Sequence, residues 1–389
     1  MSSTLKVETI SDDNGMSLFR SKRLSVNGRQ FISPLKALDP SKFRSHTILN
    51  KKSYGVREIF KNLDSDKIAR MDKEPDEHDK FAKSVSSLAK KSETTELTLC
   101  FVHFTPETPN RFPTSKEIDF LTDVSHSYSD ITPLPGIEVE VDASNFRKYK
   151  SFLKSSYDTI EELNHKPIMG VLSNLPRESY GEVIDFYLDR DITSFYFDFN
   201  GKTPDPLKLR PILRHLNSRK MLDNCCIYGI NAKPGKPLKN AGVIPSKDFL
   251  SYGYGIDILG ESHVRAKLPK ELLEKMKRAI EKQQGNKRRL FIKSDYGYHR
   301  VEDEENVEKI YPKDSSIKLN DIVNDKGTSM QKLFNMEQQA IESSTIRKRL
   351  NSLSSKETIL DYIRKKERVS SELKHLLQAA SALRQRTLF

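Results

Sequence analysis

The sequence predicts an α/β fold, a (β/α)₈ TIM-like barrel with a charged, mainly helical C-terminal extension. Three observations lead there. Between residues 166 and 264, four short apolar runs (166–172, 194–200, 224–231 and 255–260) alternate with amphipathic stretches long enough for crossover helices, such as 178–190 and 206–217. Each run is apolar on both faces, the signature of a parallel strand buried on both sides. Four further candidate strands precede them, and eight is the number that closes such a barrel.

Taken in order, residues 24–38 read as a strand, an Asn27-Gly28 turn and a second strand, since Asn-Gly readily takes the left-handed backbone of a tight hairpin. The segment 31–35 is expected to enter the barrel as its first strand, 46–51 to form the second, and 55–63 a helix. Residues 64–95, dominated by charge and serine, are expected at the surface as helix or loop. The run 97–104 is the third strand. After a Pro-rich loop, Thr114 or Ser115 caps a helix reaching about residue 127. Segments 130–135 and 137–141 together supply the fourth strand, and 143–163 is helical. The barrel is assigned to 1–265, with a charged insertion near 64–95, and a basic, mostly helical region to 266–389.

In that second region, 268–284 reads as a charged helix, 286–289 as a basic turn, 289–293 as a strand and 296–298 as a turn. An acidic stretch (301–306) and a loop (314–327) lead to helices at 328–352 and 356–385. Leu360, Ile363, Leu373, Leu376, Leu377, Ala380 and Leu383 mark an apolar stripe on the last helix, suited to packing on the barrel or on a partner.

Composition narrows the function classes. With 36% hydrophobic and 31% charged residues, no run approaches the ~18 apolar residues of a membrane span, so no membrane partner is expected. The N-terminus is polar and reads as no secretory signal. Three cysteines, two of them adjacent, support neither a disulfide framework nor a CxxC zinc pair, and a cytoplasmic protein without metal or cofactor is expected. Nucleotide-loop, dinucleotide, zinc-protease and serine-hydrolase motifs are all absent from the sequence. The net charge is +12, and residues 340–389 hold eleven Lys or Arg against five Asp or Glu. Such a bias suggests a polyanion, most simply nucleic acid. The candidate phosphate contacts are Lys287, Arg288, Arg289, Arg347, Lys348, Arg349, Arg364, Lys365 and Lys366.

Residues 18–35, with Arg23-Leu24 ahead of Gly28 and Ser33-Pro34, carry one part of a family pattern. Segment 114–135 and the strands within 166–171, 227–234 and 255–261 carry more. In the tail, Arg289-Leu290-Phe291, Tyr296-Gly297, an acidic stretch and a Glu-Gln-containing helix follow in the same order. Together these resemble the tRNA-guanine transglycosylases, especially their archaeal branch, over about residues 17–368. The resemblance implies a barrel that exchanges guanine for a deazaguanine base in nucleic acid, tRNA rather than DNA. It also implies a homodimer or a heterodimer with an active homologue. The family uses one Asp after the third strand and a nucleophilic Asp ending the eighth, with a zinc cluster of three Cys and a His. Here the third strand ends Phe101-Val102-His103-Phe104, the eighth ends Leu259-Gly260-Glu261-Ser262, and no such cluster follows.

The strand ends hold the remaining candidates, because barrel enzymes place catalytic groups there. Glu261 and His263 follow the eighth strand, and Asp198 sits in an apolar run at the end of the sixth, where a charge needs partners. These three are the candidate catalytic residues, with Glu261 as the shifted nucleophile. Asn200, Asn231, Lys233 and His103 are the candidate substrate-binding residues. Asp257, within its strand, reads as a core acid. Three readings stay open: a base-exchange enzyme using Glu261, a non-catalytic homologue that binds nucleic acid, and an unrelated barrel enzyme acting on a small molecule.

Overall fold

A computed structural model describes residues 5–44, 47–163, 166–172, 175–237, 242–264, 271–272, 274–275, 288–301, 308–325, 328–354 and 357–384. The chain opens with an antiparallel sheet of β1 (Lys6–Asp12), β2 (Arg20–Val26) and β3 (Arg29–Ile32). Asn27 and Gly28 turn β2 into β3 with φ of 49° and 77°, as expected for this pair.

The alternation that follows is β4 (Leu35–Leu38), β5 (Val56–Asp64), α1 (Ser65–Lys73), α2 (Pro75–Ala89), β6 (Leu97–Thr105) and α3 (Ser115–Ser127). Next come β7 (Thr132–Pro133), β8 (Gly136–Ile137), α4 (Phe146–Leu163), β9 (Ile168–Val171), α5 (Tyr180–Leu188) and β10 (Ser194–Asp198). Then follow α6 (Pro206–Ser218), β11 (Cys226–Ile230), β12 (Ile244–Pro245) and β13 (Ile258–Leu259). One parallel sheet runs β7-β9-β10-β11-β13-β4-β5-β6-β8. Its two ends, β7 and β8, are halves of the same short segment, parted by Leu134 and Pro135. β7 pairs with β9 and β8 with β6, so the sheet closes on itself as a TIM-like barrel. The fourth barrel strand is therefore shared between two short pieces, each pairing with one neighbour.

Two expectations at the start of the barrel are corrected. Segment 31–35 does not enter it; β3 stays in the N-terminal sheet, and the first barrel strand is β4. Residues 47–50 are not a strand, and the second barrel strand is β5, where a helix was expected. The reason is chemical. Val56, Ile59, Phe60 and Leu63 fall at helical spacing, which leaves Arg57 and Glu58 looking like a solvated face. Both are buried, at 2% and 0% exposure. Arg57 donates from Nε to Glu96 at 2.8 Å, and Glu58 points its carboxylate into the barrel. Buried charges therefore stand where apolar residues would have shown a strand.

Polar contacts also attach the N-terminal sheet under the barrel. Lys22 on β2 reaches Asp257 at 3.1 Å and the Leu222 and Cys225 carbonyls at 3.1 and 2.7 Å. Asp257 accepts from the Ile227 N–H at 2.8 Å. Burial lifts its carboxyl above the ordinary range despite Lys22. Asp257 precedes β13 and Ile227 lies early in β11, so this pair seals the N-terminal end of the barrel. Arg29 on β3 adds an ion pair to Asp130, ahead of β7.

The C-terminal region joins through β12, which pairs with β15 (Gly297–Val301), itself paired with β14 (Arg288–Ile292). Helices α7 (Leu319–Val323), α8 (Ser329–Leu350), α9 (Ile359–Arg364) and α10 (Leu373–Arg384) complete it. Buried along most of its length, α8 packs on β4 and β14, while α10 packs on α6. The single helix expected over 356–385 is instead α9, a 3₁₀ turn (Glu367–Glu372) and α10, and the loop expected at 314–327 contains α7. Most of the helix expected at 268–284 and of the acidic stretch at 301–306 lies outside the described residues. Among the described residues no helix is long and apolar enough to cross a membrane.

Removing one partner of the Lys22–Asp257 pair leaves a buried charge alone. Asp257→Asn should destabilise the fold by ~3–5 kcal/mol in urea unfolding, and Lys22→Met with Asp257→Leu should recover much of that loss. A loss below ~1 kcal/mol for Asp257→Asn would show that the barrel does not depend on this seal.

Candidate active site at the C-terminal end of the barrel

All eight barrel strands run the same way, so their C-terminal ends surround one mouth. A cleft of about 1140 Å³ opens there, lined by Phe60 and Asn62 of β5, His103 of β6, Asp198 of β10, and Asn200, Asn231 and His263 just beyond their strands. TIM barrels place their chemistry at this end.

The first functional group is built on Glu58. Its buried carboxylate accepts from the Tyr228 hydroxyl, from the Glu261 N–H at 2.9 Å, and pairs with His263 Nε2 at 2.5 Å. Gly260 is required beside it, since a Cβ there would overlap Glu58 Oε2. Burial on its own lowers the His263 pKa, but the Glu58 contact, with Asp39 and Glu261 nearby, outweighs it and raises the imidazole above its ordinary value. Burial, reinforced by Glu58, pushes the Tyr228 hydroxyl well above its ordinary range, so it stays a donor. The His263 ring stacks on Phe60, centroids 4.6 Å apart and planes 1° from parallel.

The second group is Asp198, 5% exposed. Its oxygens accept from Asn231 Nδ2 at 3.0 Å each and from the Asn200 N–H at 2.6 Å. His103 Nε2 lies 3.2 Å from Asp198 Oδ2, without the alignment of a hydrogen bond. Burial raises the Asp198 pKa, yet His103, the Asn200 N–H and the Asn231 amide together hold it below the usual carboxylate value. Gly136 makes room for His103, whose ring a Cβ at 136 would strike. Phe60 lies between the two histidines, 5.7 Å from His103.

Asn231 joins the two groups. While its Nδ2 holds Asp198, its Oδ1 accepts the His263 N–H at 2.7 Å. Asn200 and Asn231 both have left-handed backbones, φ 49° and 60°, which Asn tolerates better than most residues.

The structure thus brings together Asp198, His263, His103, Asn200 and Asn231 from the sequence candidates. Glu261 is placed differently: its carboxylate pairs with Lys36, a buried β4 lysine that also donates to the Gly260 carbonyl at 2.8 Å, and it does not line the cleft. Lys233 is exposed beside Gly201 and also outside the cleft lining. Glu58 and Phe60 were missed because they lie in the segment expected to be a helix. The signal was present, a charge within an apolar run, as at Asp198. Asp257 is a core acid, as its sequence context suggested.

The basic runs divide. Arg347 donates to the Ile32 and Pro34 carbonyls at 2.8 and 3.0 Å, just ahead of β4, which puts its run at the end of the barrel opposite the cleft. Lys366 donates to the Lys293 carbonyl at 2.6 Å and lies over the Tyr296 and Tyr362 rings. Arg288 donates to the Val323 and Asp325 carbonyls and Arg289 to that of Gly242. These cations bond within the fold rather than facing a phosphate backbone. Lys348, Arg349, Arg364 and Lys365 are exposed, with Arg349 over the Tyr362 ring and Arg364 paired with Asp361. Lys287 lies outside the described residues. Among the described residues no three His, Cys, Asp or Glu side chains gather as a metal cluster.

No protein-family model matches this sequence, and no curated protein matches it. Among solved structures, one described as "QR15, an Aldolase" is 9% identical, with 62% of this chain and 94% of that chain aligned and a TM-score of 0.32. A likeness at that level says nothing about chemistry.

Two outcomes follow. Glu58→Gln should lower the His263 pKa, read by NMR titration, because its raising partner becomes neutral; an unchanged titration would separate the two residues. Gly136→Ala should push the His103 ring off Asp198, seen as a changed His103 shift with the His263 titration retained. Unmoved His103 resonances would contradict this packing.

Proposed function

We propose that the barrel mouth is an acid–base site for glycosyl transfer, at which a nitrogenous base leaves a sugar and another base or water takes its place. The observation that carries this reading is the pair of His–carboxylate groups joined through Asn231 and facing one cleft. Breaking a sugar C–N bond leaves positive charge on the sugar ring and puts the bonding electrons on the base nitrogen. Asp198, held ionised and nearly buried, is suited to oppose the positive charge, where a low dielectric strengthens its effect. His263, charged through Glu58, is suited to protonate the departing base. The incoming nucleophile adds to the anomeric carbon and gives up its proton to the histidine so released. The motif order resembling the transglycosylases supports nucleic acid as the source of the base. Because Glu261 is tied to Lys36, Asp198 is the stronger candidate for the anionic role.

A free small molecule is the second reading. It is favoured by the use of Arg288, Arg347 and Lys366 inside the fold, which removes much of the expected phosphate grip.

The test is exchange of labelled guanine into tRNA, duplex DNA and free nucleosides, with base release followed in the same samples. Turnover on one of them is expected, and Asp198→Asn and His263→Gln should each lower it by ~10²–10⁴-fold. Because His263 acts as the acid and its pKa is raised, kcat/KM should fall as pH rises through that pKa, and Glu58→Gln should move the fall to lower pH. Neither exchange nor release on any substrate, or full activity in Asp198→Asn, would overturn the reading.

A further inference from the structure

The cleft is larger than a base and its reacting carbon require, and one side of it is differently charged. Arg177 follows β9, Lys202 and Lys208 follow β10, and all three line the same cleft as Asp198 and the two histidines. All are exposed, and none has a side-chain ion pair or hydrogen bond among the described residues. The other cation of the lining, Lys67, pairs with Asp64 at 3.3 Å. Asp205, the acid closest in sequence to Lys202 and Lys208, caps α6 by accepting the Leu207 N–H at 2.9 Å instead of pairing with them.

A fourth cation joins this side. The left-handed Asn200-Gly201 turn (φ 49° and 66°) folds the chain back, and the Lys233 N–H then bonds the Lys202 carbonyl at 3.1 Å. Lys233 Nζ rests against Gly201, 3.2 Å from where a Cβ would stand. Glycine at 201 thus leaves room for the Lys233 ammonium group. Like charges gathered without counter-charges repel one another and create a positive field that an anion relieves. Of the acids of the lining, Asp198 is held by the Asn200 N–H and the Asn231 amide, while Glu138 and Glu140 belong to the segment after β8, and Glu138 is engaged by the Thr105 hydroxyl at 3.2 Å.

From this we infer that the cleft holds a second subsite, formed by Arg177, Lys202 and Lys208 with Lys233 beside it outside the lining, that takes a phosphoryl group of the ligand whose base and sugar lie at Asp198 and His263. Several cations suit a group with up to two negative charges and several acceptor oxygens; a carboxylate would use fewer. A volume of about 1140 Å³ accommodates base, sugar and phosphate together. The identity of the ring rests on the glycosyl-transfer reading, but the phosphoryl subsite does not.

The probes are inorganic phosphate, ribose, ribose 5-phosphate, guanosine, guanosine 5′-monophosphate and a short single-stranded oligonucleotide, titrated calorimetrically into the full chain. Ribose 5-phosphate should bind at least ten-fold tighter than ribose, and Lys202→Ala with Lys208→Ala should erase that advantage while Lys202→Arg with Lys208→Arg keeps it. Asp198→Asn should leave it intact, so phosphate selectivity without base exchange sinks only the chemistry. Exchange that persists while the double alanine variant binds phosphorylated and plain sugars as before would sink only the subsite. Guanosine 5′-monophosphate binding above the oligonucleotide would name a free phosphomonoester as the source, and the reverse a phosphodiester of nucleic acid. Equal affinity for ribose and ribose 5-phosphate in the unaltered chain would overturn the inference.

Discussion

Everything at the barrel mouth depends on one carboxylate placed where water does not reach. Glu58 lies inside the barrel at 0% exposure, and such a group is tolerated only when donors replace the water it has lost. Three do: the Tyr228 hydroxyl from β11, the Glu261 N–H beyond β13, and His263. A single side chain on β5 therefore ties together the ends of two other strands. Glycine at 260 is part of the same constraint, since any side chain there would occupy the carboxylate's position. His263 gains its proton affinity and its orientation from this anchor, and its face from Phe60 two residues along the same strand.

The two ends of the barrel use buried charge for different purposes. At the N-terminal end, Lys22 and Asp257 face each other at 1% and 3% exposure, with three backbone groups completing their shells. That pair is closed to any ligand, and its role is to hold β2 under the barrel. At the mouth, Asp198 and His263 are equally well bonded but line open space, and Asn231 fixes their relation through both ends of its amide. Burial away from any ligand marks a structural pair at one end, and burial beside a cleft marks a candidate site at the other.

Much of this was legible in the sequence, for physical reasons. Strands β9, β10 and β11 are apolar on both faces because helices cover one and the barrel interior the other, and that pattern has no surface equivalent. Thr114 or Ser115 was readable as the cap of α3, and Thr114 takes that place in a capping box with Glu117. Asp198 could be found because a lone charge in an apolar run must have partners. β5 could not be read in the same way. With Arg57 and Glu58 both buried, its apolar residues keep helical spacing, and the anchor of the site is hidden in what reads as a solvated helix face. Nor could Asn231 reveal that it bridges two strand ends, because pairing across the mouth leaves no trace in local sequence.

Charge shows the sharpest gap between composition and position. A net +12 and a basic C-terminal segment point to a polyanion, but they do not say which cations are available. Arg347 and Lys366 bond to backbone carbonyls within the fold, where they neutralise carbonyl ends instead of phosphates. Among the described residues, the unpartnered cations at and beside the cleft, Arg177, Lys202, Lys208 and Lys233, follow three consecutive barrel strands rather than any basic run. Spread over 177–233, they form no cluster in sequence and contribute little to the charge of any one segment. Only the closing of the barrel gathers them. The exposed cations at this mouth are thus scattered in sequence, whereas of the two dense runs, 347–349 and 364–366, it is Arg347 and Lys366 that bond backbone carbonyls within the fold.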